Sequence, residues 1–320
     1  MHAAELTIPS GSRFWLRDKA VVMGGLGVLI FSFTLPATHE AVAAFGGVVV
    51  GLGRAVIAAL FAAAVLLARR ESLPPRHTWP GLFCVALGVV IGFPLFSAVA
   101  LEGTTVAHSA VITGLLPAAT AIVAVVRVHE RTSLLFWSSC AAGTVAVLLF
   151  ALVQGGGHFS AADWWMVAGV SAGAVGYAEG GRLARLLGGW RVICWALVLA
   201  LPFTLAPTAW IVAHQGLRGN LAAWEGLAYV AIFSMFLGFF AWYHGLALGG
   251  IARIGQLQLL QPLLTIGWAV LLLGESFNWL TGVTALLVVC CVAVGQRARS
   301  RPPLAPAKDA ASAADLAMAE

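Results

Sequence analysis

Residues 46–68 read GGVVVGLGRAVIAALFAAAVLLA, a stretch with a single charged side chain. At 1.5 Å per residue such a run crosses a hydrocarbon layer of ~30 Å, and within that layer the backbone must satisfy its own polar groups, which selects a helix. Comparable blocks fall near 20–36, 79–99, 106–126, 134–153, 164–184, 189–212, 224–245, 252–273 and 279–296. They are apolar all round, whereas a membrane β-barrel needs alternating polar and apolar positions. Composition agrees: 61% of the 320 residues are hydrophobic and 10% charged, where a soluble domain carries about a quarter charged residues. The expected fold class is all-α integral membrane, with ten transmembrane helices and both termini on one side.

The charges orient that map. With the N-terminus inside, every one of the 18 basic residues except Arg54 and Arg218 falls on the cytoplasmic side, as the positive-inside rule asks. The topology read is N-in, C-in, with residues 1–19 a cytoplasmic segment and 297–320 a disordered cytoplasmic tail. A net charge of +5 therefore reports on topology and not on a nucleic-acid partner. Trp79, Trp164, Trp165, Trp190, Trp224 and Trp279 sit at span ends, where indoles favour the headgroup region. The five cysteines lie inside apolar blocks without a CxxC, so neither disulfides nor a metal site are expected.

Two stretches share a pattern. LLPAATAIVAVVRVHE (115–130) and LQPLLTIGWAVLLLGE (260–275) each place a glutamate thirteen positions after a proline. Superposing Pro117 on Pro262 sets Thr113 over Gln258, Thr120 over Thr265 and Glu130 over Glu275. The chain thus divides into five-helix halves at 20–153 and 164–296. Five is odd, so the second half enters the membrane inverted, an architecture of secondary transporters that bind substrate near mid-bilayer.

The "AL" at 100–101 with LLPAATAIVAVVRVHE, the "AL" at 247–248 with QLQLLQPLLTIGWAVLLLGE, and Arg54 in GLGRAVIAAL together resemble the EamA-type drug/metabolite transporter superfamily. The resemblance covers about 20–296. It implies ten helices in two inverted halves, a central cavity, and export or exchange of small metabolites.

Site candidates follow from polarity at membrane depth. Pro117 and Pro262 lack an N–H and leave the carbonyls of Thr113 and Gln258 without their helical donors, which marks two hinges about ten residues into their spans. Thr113 and Thr120, and Gln258, Gln261 and Thr265, share helical faces and form a candidate substrate wall. Arg54 is a candidate for holding a substrate carboxylate; the alternatives are an outward snorkel or an ion pair with Glu40 or Glu102 in the outer loops. Trp242 and Tyr243 are candidates for stacking on a ligand, with aromatic packing between helices as the alternative, and His244 is a further cavity candidate, with a hydrogen-bonded structural histidine as its alternative. Glu179 and His108 are candidates for proton coupling, with an i,i+3 pair to Arg182 as the alternative for Glu179. Glu130 and Glu275 are read as carboxylates that favour the start of spans five and ten.

The function expected is a secondary carrier in the inner or plasma membrane, without cofactor, with a small-molecule substrate and the lipid bilayer as partners. No Walker motif is present, so ATP does not drive it directly. An intramembrane enzyme would need paired acids, HExxH or a nucleophile with its base at depth, and none is found. A channel would need a charged ring or filter repeat. The first span, 20–36, holds no acidic residue, which weakens a cation–proton antiport.

Overall fold

The computed structural model describes residues 10–128, 133–154, 158–249 and 254–299. Glu130, Arg131, Arg253 and the tail from residue 300 lie outside the described residues. Helices account for the regular structure, and no strand occurs among the described residues. The first half comprises α1 (Asp18–Phe45), α2 (Gly47–Ala68), α3 (Arg76–Ala100), α4 (Val106–Val126) and α5 (Leu134–Val153), each long and apolar enough to cross a membrane. The second comprises α6 (Ala161–Leu187), α7 (Gly189–Gln215), α8 (Leu221–Gly249), α9 (Leu257–Leu273) and α10 (Trp279–Gly295). Of these, α7 and α8 meet the same measure, giving seven such helices among the described residues; α9 and α10 are apolar but shorter. α6 carries Asp163, Glu179, Arg182 and Arg185 along its length.

The first span was expected to end near residue 36. Instead α1 continues past a break at Phe33 to Phe45, so Glu40 lies in a helix and not in a loop. A single residue, Gly46 at φ 77°, then joins α1 to α2. Gly188, at φ 87°, joins α6 to α7 in the same way. A side chain strains a backbone in that region, and glycine does not. The two glycines stand at equivalent places in the two halves.

A second correspondence lies in α3 and α8. Each contains a π-helical stretch, Ala86–Gly92 and Tyr229–Leu237. The Phe93 N–H donates to the Gly88 carbonyl and the Gly238 N–H to the Phe233 carbonyl, both five residues back. In α3 the cause is local: Pro94 has no N–H, and a wider turn re-pairs the carbonyls that an α ladder would orphan. α8 has no proline in this stretch, and nothing in its sequence explains the wide turn.

Packing repeats the correspondence. α1 packs on α8 as α6 packs on α3, and α4 on α6 as α9 on α1; α2 meets α7, α5 meets α10 and α4 meets α9. Exchanging the halves leaves this set of neighbours unchanged. Small residues permit the closest crossings: a Cβ on Gly245 would stand 2.7 Å from the Gly24 nitrogen. The outward faces carry large apolar side chains, among them Leu60, Leu67, Phe203 and Leu271, as a lipid-facing surface requires.

Candidate functional site

The interior between α1, α2, α3, α6, α8 and α9 holds a cavity. Its side chains close to leave about 20 Å³, room for roughly one water. Arg54, eighth residue of α2, is 1% exposed and borders this cavity. Among the described residues its Nε and Nη1 have no acceptor. Both alternatives considered for Arg54 are therefore corrected: it is buried and does not snorkel, and among the described residues no ion pair joins it to Glu40 or to Glu102, whose Oε1 accepts the Gly47 N–H at 2.5 Å. Tyr177, on α6, borders the same cavity as Arg54.

Both π-helical stretches reach the same cavity, through Val89 on α3 and through Ser234 and Met235 on α8. Ser234 shares a hydrogen bond of 2.8 Å with Thr34 on α1. Phe31 and Phe239 meet at 4.9 Å between ring centroids, and Tyr177 meets Phe239 at 5.9 Å. Ser234, Thr34 and Tyr177 were not singled out from sequence. Their signal was available: Ser234 and Thr34 are polar residues inside apolar blocks, and Tyr177 is one of only three tyrosines.

A smaller void adjoins, sharing Leu35 and Gln261 with the first. Around it the structure gathers Thr113, Gln258, Pro262 and Thr265, the wall expected across the two proline-bearing helices. The Gln258 Nε2 and Gln261 Oε1 are buried without a protein partner. The hydroxyls are turned elsewhere. Thr113 donates to the Ser109 carbonyl at 2.7 Å, and Thr265 to the Ser32 carbonyl of α1 at 2.7 Å. Thr120 is half-buried, bonds the Leu116 carbonyl of its own helix, and stands away from both voids.

The prolines do not kink continuous helices. Pro262 lies in the first turn of a helix, Gln261–Leu273, that follows a 3₁₀ stretch, Gly255–Leu260. The Gln258 carbonyl expected to be freed accepts the Gln261 N–H. Pro117 likewise opens the segment Leu116–Val128, after the first segment of α4 ends at Thr113. A first-turn proline costs a helix no hydrogen bond. α4 and α9 are thus broken helices, and the break is made by the turn before each proline.

Other candidates fall outside the cavity. Trp242 and Tyr243 are 2% and 0% exposed. Trp242 packs against Gly27 of α1 and near Phe31, and Tyr243 against Gly180 and Gly189. His244 is exposed. Glu179 is buried and accepts from Arg182 Nε at 3.1 Å, the local pair weighed as the alternative to proton coupling. His108 Nε2 lies 2.6 Å from Asp163 Oδ1 at the start of α6, and its ring meets Phe150 at 5.0 Å. Glu275 caps a different helix from the one expected. Its two oxygens accept the Val106 and Ala107 N–H groups at 2.8 and 3.0 Å, closing the N-terminus of α4 rather than opening α10.

Apolar helices throughout the described residues, apolar outward faces, two corresponding halves and buried polar groups gathered at an interior cavity make this a polytopic membrane protein. Residues 18–152 and 160–294 each match the EamA-like transporter family. The chain belongs to that family and is a transporter. It is 45% identical over 276 residues to the "Uncharacterized transporter YdeK" of Bacillus subtilis (strain 168), covering 86% of this chain and 96% of that protein. A solved structure described as "Crystal structure of protein" aligns with a TM-score of 0.61 at 19% identity, over 88% of this chain and 98% of its own. That likeness speaks to the fold.

Proposed function

We propose that the protein is a secondary carrier of the inner or plasma membrane that exports or exchanges amino acids or related small metabolites by alternating access. The carrying observation is the interior cavity, bordered by both halves and holding Arg54 and Gln261 with polar atoms that no protein group satisfies. Buried polar groups normally find partners, and those that do not are candidates for a ligand. On this reading ten helices span the bilayer, N-in and C-in, with the second half inverted, and the breaks at Pro117 and Pro262 act as hinges. Thr113, Gln258, Gln261 and Thr265 supply one wall of the pathway. The cavity narrows to about 20 Å³, which favours a carrier over a continuous pore.

The test is transport by the purified protein in liposomes against a broad metabolite panel. A carrier saturates and shows counterflow; a channel shows neither. Flux equal to that of protein-free liposomes for every compound would remove this reading.

A further inference from the structure

Arg54 brings one formal charge into the cavity, and no other residue bordering it among the described residues is a carboxylate, lysine, arginine or histidine. An unpaired guanidinium away from water is costly, and an anion that accepts from Nε and Nη1 together removes that cost. Charge therefore ranks what the cavity can enclose. A monoanion brings the enclosed charge to zero. A zwitterion leaves it at one positive charge, with its ammonium lacking a carboxylate partner. A cation doubles the positive charge in a low dielectric.

The remaining surface defines the rest of the ligand. Phe31, Phe93, Tyr177 and Phe239 supply aromatic faces, suited to an aromatic or large apolar body. The Gln261 Oε1 is a buried neutral acceptor without a protein donor. One neutral acceptor suits one amide N–H better than an ammonium with three donors. The geometry points to an amino-acid-related monocarboxylate, N-acylated or otherwise lacking a free ammonium, with an aromatic or large apolar body. When the cavity opens beyond the room for about one water that it has here, the ligand's carboxylate lies on Arg54 and its N–H on Gln261. This rests on the carrier reading above and narrows its substrate class.

The experiment uses the full-length protein in liposomes with three compounds of one body and different charge: N-acetyl-L-phenylalanine, L-phenylalanine and L-phenylalaninamide. The expected half-saturation for the acid is at least about tenfold lower than for the zwitterion, with no saturable flux of the amide cation. Arg54→Lys keeps the order with weaker affinity, and Arg54→Gln abolishes the advantage of the acid. Thermal stabilisation of the detergent-purified protein by the same compounds gives the order without transport, and decides the matter if the variants do not fold. Equal or better affinity for the zwitterion or the cation overturns the anion assignment while leaving a carrier. An acid preference that survives in Arg54→Gln overturns the role of Arg54. Absence of saturable flux for all three compounds overturns the substrate class, and its absence across the broad panel overturns the carrier itself.

Discussion

Gln258 and Thr265 show how two polar residues bordering one void take different parts. Thr265 spends its hydroxyl on the Ser32 carbonyl and ties α9 to α1, and Trp268 Nε1 adds a bond of 3.0 Å to the Ser32 hydroxyl. Gln258, 4% exposed, leaves its Nε2 without an acceptor. Replacing a buried, unsatisfied donor by an apolar group of similar size is neutral or stabilising. Gln258→Leu should therefore leave the thermal midpoint unchanged or raise it. On the proposed function it should also raise the half-saturation constant by about 2- to 10-fold, the value of a neutral hydrogen bond. Paired measurements of melting and flux check both halves; a variant that melts early with unaltered kinetics would make Gln258 a packing residue.

At the scale of elements, the start of α4 is held from three sides: by Glu275, by Asp163 through His108, and by its own cap, Thr105, which accepts the His108 N–H at 3.2 Å. First-turn N–H groups have no partner within a helix, so carboxylate capping stabilises them by about 1–2 kcal/mol. Glu275→Ala should speed hydrogen exchange at the Val106 and Ala107 amides, read by mass spectrometry, while α10 is unaffected. Exchange quickening instead at the start of α10 would restore the original reading of Glu275. The one-residue joints are a second element-level feature. Gly188→Ala keeps the local space nearly open, with the Arg191 Nη1 at 3.9 Å from the new Cβ, yet forces alanine to φ 87°. A destabilisation of about 1–3 kcal/mol is expected from backbone strain alone, measurable as a lowered midpoint, and Gly46→Ala should match it.

Across the whole molecule, what was legible in the sequence depended on where polarity breaks an apolar background. The blocks located the helices because bilayer thickness dictates their length. Arg54, Gln258 and Gln261 stood out because polar atoms are rare at that depth, and the structure places all three beside the two voids. Apolar residues gave no such guidance: lipid and protein interior are equally apolar, so the inward face of a span leaves little pattern. Hence the sequence leaves Trp242 and Tyr243 open between ligand contact and the packing between helices that the structure shows, and nothing in it marks Phe31 or Phe239. The π-helical stretches were illegible because they express how a whole helix re-pairs its carbonyls, and the partner of Glu275 because it lies 169 positions away. The exchange of neighbours, α1 on α8 against α6 on α3, carries a last consequence for a carrier that rocks between two faces. On the proposed function, each seam that loosens in one posture has a counterpart that tightens, so the postures are weighed against each other like the pans of a balance. Bulk added at the Gly24–Gly245 seam should tilt spin-label distances toward one posture, and bulk added at the seam of α3 with α6 should tilt them back. Two faults, set opposite each other, would then transport better than either one.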